Sequence, residues 1–181
     1  AAGGPIVAEY PTGRPRWMSA FTERPIANTM YFGDAVREFP RGRVPGGGNM
    51  ALRRSAVRRY GVFDTSLGYV GETLIGGEES DLFERLQIAE AKYYYVPKAV
   101  MYHIIPEEKL SRDYFVRLAT NTGISQRTRA ELNSAMLRLY VGEVIKWMAT
   151  LLLCLTHRPL QSRYLLLMRK HISKGIFSSS K

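Results

Sequence analysis

Two stretches decide the fold: Pro45-Gly46-Gly47-Gly48-Asn49-Met50-Ala51-Leu52 and, further on, Gly77-Glu78-Glu79-Ser80-Asp81-Leu82. The first is a glycine run that follows a proline and enters a short strand at Met50. Ser55 is placed to cap the next helix, and Gly61 to end it. The second stretch opens a helix from Glu79 to Ala91. Its acidic first turn complements the positive end of the helix macrodipole. Leu82, Leu86 and Ala89 fall on one face, which predicts packing against a sheet. Tyr93–Val96 and Ala99–His103 then read as two strands separated by Pro97-Lys98, and Tyr93, Tyr94 and Tyr95 alternate between core and surface. Strand, helix, strand in alternation predicts an α/β fold.

Working outward toward the N-terminus, residues 3–16 hold three prolines and three glycines around the run Ile6-Val7-Ala8-Glu9-Tyr10. That pattern predicts an edge strand followed by a loop. Between Pro25 and Phe39 the apolar positions Ile26, Met30, Ala35 and Phe39 are loosely helical, with a break at Gly33 and a stop at Pro40.

Toward the C-terminus everything from Ser111 onward reads as helix. In the longest, Glu131 to Thr156, the polar or small positions Ser134, Arg138, Gly142, Lys146 and Thr150 recur every four residues and leave a wide apolar face, which is expected to be buried. The apolar run Val141–Thr156, interrupted by Gly142, Glu143 and Lys146, falls short of the roughly 20 residues that span a bilayer. Pro159 ends this helix and a second follows. The chain is thus expected to divide into an α/β part, residues 1–110, and a basic amphipathic helical tail, residues 111–181.

The composition is that of a globular chain: 181 residues, 45% hydrophobic, 23% charged. A wholly disordered, collagen-like or disulfide-stapled protein is excluded. The single cysteine, Cys154, permits no internal disulfide and no multi-cysteine zinc cluster. The net charge of +10 suggests nucleic acid until its distribution is read. Residues 126–181 carry ten Lys and Arg against two acids, so the basicity belongs to the tail. With neither a nucleic-acid-binding motif nor aromatic–basic interleaving, a nucleic-acid partner is not expected. A helix lying on an anionic membrane surface, or a hairpin packed on protein, fits the tail equally well. The first residues carry neither a basic start nor an apolar segment, so no signal peptide is expected and a cytoplasmic location is, peripheral to the inner face of the membrane if the tail binds lipid. The absence of an initiator Met fits processing and an excerpt from a longer polypeptide alike.

Four blocks in order, Gly48-Asn49-Met50-Ala51-Leu52-Arg53-Arg54, Gly61-Val62-Phe63-Asp64, Gly77-Glu78-Glu79-Ser80-Asp81-Leu82 with Arg85, and Tyr95-Val96-Pro97-Lys98-Ala99-Val100-Met101-Tyr102-His103, resemble the C-terminal half of the family 2 glycosyltransferases. Gly3-Gly4-Pro5 is similar to the family's segment just after the nucleotide half. The resemblance implies an A-type nucleotide-diphospho-sugar transferase domain, of which this chain carries the acceptor-binding half. It implies an inverting transfer of sugar from a nucleotide-diphosphate donor to a saccharide or lipid-linked acceptor. It also implies a divalent metal, Mn or Mg, held mainly by an Asp-x-Asp outside this chain, because Asp34, Asp64, Asp81 and Asp113 are the only aspartates here and no two are close. The covered region is then either part of a longer enzyme or a form that has lost donor binding.

By the same resemblance Glu78-Glu79 aligns with an acidic pair whose second member is the general base, so Glu79 is the candidate catalytic residue, one methylene longer than the family's aspartate. Glu78 and Asp81 are candidate supporting residues. Gly47, Gly48 and Asn49 are candidates for the acceptor and donor-sugar loop, and His103 for a metal ligand. Each has a plain structural alternative: a helix-start acid for Glu79 and Asp81, a flexible turn for the glycines, a structural strand-end imidazole for His103. No Gln-x-x-Arg-Trp motif of the processive synthases occurs. The rival to an enzyme is a non-catalytic, degenerate transferase half that binds membrane or a partner. An isolated half-sheet would leave an open edge and an uncovered apolar face, which a homodimer would cover.

Overall fold

The computed structural model describes residues 1–40, 42–61, 63 and 78–178. Val62, Asp64, the glycine loop through Gly68, Gly71, Gly76 and Gly77, and the end of the Ser178–Ser180 run lie outside the described residues, as do the side chains of Glu78, Ser80 and Glu84. The chain is mixed α/β with a helical C-terminal tail, and its contacts divide it into two compact units.

The first unit draws its described residues from 1–9, 27–63 and 78–104. Four very short strands form one sheet in the order β3-β5-β1-β4: β1 is Ala2–Gly3, β3 Arg37–Glu38, β4 Met50–Ala51 and β5 Tyr94–Tyr95. β1 runs parallel to β5 and antiparallel to β4, and β3 is antiparallel to β5. A second sheet pairs β2, Ile6–Glu9, in parallel with β6, Met101–Ile104, in the register Ala8↔His103. Helix α2, Arg54–Tyr60, follows β4, and α3, Glu78–Ile88, precedes β5.

The core explains α3. Leu82, Phe83 and Leu86 are buried with Ile6, Met30, Phe39, Tyr93 and Tyr95 in one apolar cluster. The 3.6-residue period of α3 delivers those side chains to one face, and β-strand alternation sends Tyr93 and Tyr95 inward while Tyr94 stays exposed. Tyr95 is completely buried, with Phe32 and Phe39 edge-on at 5.4 and 5.9 Å. The Tyr93 hydroxyl donates to Phe83 O at 2.9 Å, and burial pushes it up to about 12.

The second unit takes its described residues from 10–26 and 105–178. Helix α1, Ala20–Ala27, passes at its last residue into the first unit. The tail is three helices: α4, Arg112–Leu132; α5, Met136–Thr156; and α6, Pro159–Phe177. Ser111 caps α4 by accepting from Tyr114 N at 3.2 Å, and Pro159 sits in the first turn of α6, where its missing N–H costs nothing. α4 and α6 meet backbone to backbone. A Cβ on Gly175 would lie 2.9 Å from Gly123 Cα, and one on Gly123 the same distance from Gly175 Cα. Trp17 docks on these helices, stacked on Tyr164 at 4.3 Å and tilted against Phe115 at 5.2 Å.

Four expectations are corrected. The 25–39 segment is helical only to Ala27. Its later apolar residues serve a bridge between Met30 and Ile6 and the strand β3, where pairing overrides a weak helical period. The cap residue of α2 is Arg53, two positions ahead of Ser55, although Gly61 does end the helix at φ 90°. The long tail helix is broken at Asn133–Ala135, where Ser134 adopts φ 50°, so α4 and α5 are separate helices of 21 residues each. Finally, α5 is long and apolar enough to cross a membrane by length and composition, and its apolar face is not buried. Its buried residues are Glu143 and Thr150.

Candidate functional site

The candidate site lies in the first unit, where the glycine loop, the N-terminus of α3 and the strand β6 converge. Gly47–Asn49 form a single 3-10 turn between Gly46 and β4, closed by Asn49 N donating to Gly46 O at 2.8 Å. The turn exists because three successive glycines let the backbone press against its neighbours. A Cβ on Gly46 would lie 2.6 Å from Ile6 Cδ1 and 2.7 Å from Asn28 Nδ2. One on Gly48 would lie 3.1 Å from the Met101 sulfur.

Gly47 meets the Glu79 carboxylate. A Cβ there would collide with Glu79 Oε1 and Cδ and would stand 2.9 Å from Oε2. Glu79 is the second residue of α3 and is half-buried, so its carboxylate rests on the Gly47 backbone at the positive end of a helix dipole, which favours its negative charge. Glycine at 47 is therefore a requirement of close approach, not of flexibility.

Asn49 has a structural task. Its Nδ2 donates to Pro5 O at 3.0 Å and to Ala99 O at 2.8 Å, tying the β1–β2 connection to the turn between β5 and β6. Both amide hydrogens are committed, leaving Oδ1 as the polar atom not used in these two bonds. Gly4 packs beneath the same turn, and a Cβ on it would collide with Ala99 O.

Asp81 is turned to a neighbour on its own helix. Its Oδ2 accepts from Arg85 Nε at 3.0 Å and lies 2.9 Å from Nη2, while Arg85 Nη1 donates to Tyr60 O at 2.6 Å. Arg85, held by Asp81, caps the Tyr60 carbonyl at the C-terminus of α2, just before Gly61. Asp81 thus orients a cap and joins the site only through that scaffold.

His103 sits in β6, half-buried, with Nδ1 2.9 Å from Ala27 O. A carbonyl only accepts, so Nδ1 carries the proton and the lone pair of the neutral ring is at Nε2. His103 lies two residues beyond Met101, on the same face of the strand. Met101 touches the Gly48 loop, and Ala27 precedes Asn28, which touches Gly46. Gly46–Gly48 thus touch Asn28, Glu79 and Met101, while His103 is linked to them through Ala27, the neighbour of Asn28, and through the strand it shares with Met101. Asn28 and Met101 are not among the residues the sequence singles out. Asn28 has a signal: it follows a helix and adopts φ 49°, the left-handed conformation in which asparagine commonly ends helices. Met101 has none, since a methionine in a strand is ordinarily packing.

A divalent ion at this site would find His103 Nε2 as one donor. Among the described residues no group of three His, Cys, Asp or Glu side chains is placed to hold a metal. The described residues do not make a metal centre by themselves.

No family model matches the chain, and neither a curated protein nor a solved structure matches it significantly.

Proposed function

We propose that residues 1–110 are the acceptor-binding half of an A-type, inverting glycosyltransferase that moves a sugar from a nucleotide-diphosphate donor to a saccharide or lipid-linked acceptor, with Glu79 as general base. The observation that carries this reading is the seating of the Glu79 carboxylate on Gly47, which puts an acid against a backbone loop stripped of side chains. What a sugar hydroxyl needs from such a site is a fixed acceptor for its proton, and the close seating on Gly47 fixes this carboxylate. The four ordered motifs supply the second support.

In the proposed reaction the acceptor hydroxyl oxygen forms a bond to the anomeric carbon from the face opposite the diphosphate. The bond from that carbon to the diphosphate oxygen breaks, the electron pair leaves with the diphosphate, and the hydroxyl proton passes to Glu79. Attack opposite the leaving group inverts the anomeric centre. A sugar hydroxyl is a weak nucleophile at neutral pH, so general-base assistance of this kind is worth about 10²–10⁴ in rate. Asn49 and the Asp81–Arg85 pair act as positioning residues that hold the loop and the start of α3. Where a divalent cofactor participates, His103 is the residue of this chain that would donate a lone pair to it, and the cation would offset the charge of the leaving diphosphate. Transfer by the full natural polypeptide, compared with its Glu79→Gln form, tests the assignment.

A second reading is a non-catalytic module of the same descent. It is favoured by the commitment of Asn49 and Asp81 to scaffold bonds, and it predicts that Glu79→Gln changes no measurable turnover.

A further inference from the structure

Helix α5 is amphipathic with the polar side inward. Glu143 is buried and accepts from Arg169 Nη1 at 3.0 Å through Oε2, and its Oε1 accepts from the Ser173 hydroxyl at 2.7 Å. Trp147 Nε1 donates to the same Ser173 oxygen at 2.8 Å. On the opposite side Leu137, Val144, Ile145, Met148, Leu152 and Leu155 stand exposed, Leu137 at 77% and Leu155 at 82%. At 100° per residue these six fall within an arc of about 100° that holds no charged side chain. The strip from Leu137 to Leu155 is about 27 Å long. Exposed basic residues mark both of its ends, Arg138 at one and Arg158 just past the other, within a segment of ten cations and two anions.

A contiguous apolar strip of this length marks a protein- or membrane-interaction surface. Its dimensions alone would also suit a helix crossing a bilayer. The packing of α6 decides between the two orientations. The Glu143–Arg169 and Trp147–Ser173 bonds hold α6 alongside α5, and α6 exposes Arg163, Lys170 and Lys174. A crossing α5 would carry those cations toward the hydrocarbon, each at a penalty of roughly a hundred-fold in the insertion equilibrium. With α5 flat in the interface, its apolar strip reaches the acyl chains while α6 stays in water.

We propose that the exposed face of α5 is a membrane-docking surface, with the helix axis in the plane of an anionic bilayer, the strip seated at the headgroup–acyl boundary, and Arg138 and Arg158 on anionic headgroups. The proposal rests on the tail alone and stands or falls independently of the transferase reading.

The test uses the whole chain with phosphatidylcholine vesicles, with and without phosphatidylglycerol. The wild-type chain is expected to sediment with the anionic vesicles, less with the neutral ones, and less as salt is raised. Val144→Glu with Met148→Glu, both on the exposed face, is expected to weaken binding about a hundred-fold while the helical circular dichroism is unchanged. In a Cys154→Ser background, a polarity-sensitive fluorophore on Met148→Cys is expected to shift to the blue and to be quenched by spin-labelled lipid, whereas one on Lys170→Cys is not. If the double variant does not fold, this labelling decides by itself. Three results overturn the proposal: no binding of the wild-type chain to anionic vesicles; undiminished binding by a folded double variant; or a label at 148 that senses no lipid while size-exclusion chromatography shows a dimer that the double variant dissociates. The last would assign the face to a second copy of the chain.

Discussion

The Glu79 carboxylate lies on the α-carbon of Gly47, so close that any side chain at 47 would occupy the space of Oε1. A helix start and a loop more than thirty residues earlier in the chain are thereby coupled: the acid has its position because the loop has no Cβ. If Glu79 is the base, Gly47→Ala displaces the carboxylate without touching the core. The expected result is a fall in turnover of about 10², the usual consequence of a displacement near 1 Å in a reacting group, with a thermal midpoint close to wild type. Steady-state transfer and a melting curve on the same preparation check it.

The two glycines of the α4–α6 contact make a separate prediction about stability. Gly175→Ala places a methyl against Gly123 Cα and the Thr120 carbonyl, both backbone, which cannot rotate away. It should destabilise the chain by about 1–3 kcal/mol. A Cβ on Gly142, in α5, would meet nothing within 4 Å, and Gly142→Ala should stabilise by about 0.5–1 kcal/mol through helix propensity. Chemical denaturation of the two variants side by side gives opposite signs on this account.

Buried ion pairs are asymmetric in their response to mutation. Glu143 and Arg169 are exposed only to 3% and 11% in their side chains, so removing one strands the other in a medium that solvates it poorly. Glu143→Ala or Arg169→Ala should each cost about 3–5 kcal/mol, while Glu143→Leu combined with Arg169→Met should recover most of that loss. A double-mutant cycle on unfolding free energies measures the coupling.

The Tyr10–Glu23–Arg14 cluster supplies a pH dependence. The Tyr10 hydroxyl donates to Glu23 Oε1 at 2.6 Å, and Arg14 Nε and Nη2 donate to the two carboxylate oxygens at 3.0 and 3.2 Å. Burial pushes the Glu23 carboxyl upward, but the hydrogen bonds from Arg14 and Tyr10 and the Arg14 charge together outweigh it and hold the group below its ordinary 4.5. A carboxyl lowered in the folded state stabilises fully above its unfolded value, and the benefit is lost as pH falls through the native one. The difference in melting temperature between wild type and Glu23→Gln should therefore be constant near neutrality and shrink on acidification below about pH 4.5. A difference that grows toward acid would contradict the arrangement.

How much of this is legible in the sequence follows from what each signal encodes. The helix over Glu78–Ile88 and its buried Leu82 and Leu86 follow from local periodicity, and Gly61 announces the end of α2 because a glycine readily takes the positive φ that ends a helix that way. β3 is invisible, since two residues, Arg37 and Glu38, owe their strand conformation entirely to pairing with β5. α5 shows a subtler limit. Its period is plain, but period says only that two faces differ and not which one is turned inward. Within the chain the apolar face stays exposed and the polar one is turned inward, because Glu143 finds a partner in Arg169, on a helix whose position no local pattern reveals. At the candidate site Glu79 and the glycine run stand out by residue type, whereas the service of Asn49 and Asp81 to the scaffold depends on Pro5, Ala99 and Tyr60, which only the fold brings near.

The most direct test of the central claim is sugar transfer by the full natural polypeptide, followed as nucleoside diphosphate released from a panel of nucleotide sugars, for wild type, Glu79→Gln and Glu79→Asp. The account predicts that Glu79→Gln lowers kcat by about 10²–10⁴ with little change in the donor KM, and that Glu79→Asp retains more activity than Glu79→Gln because it keeps a base. A folded Glu79→Gln protein that turns over at the wild-type rate would contradict it.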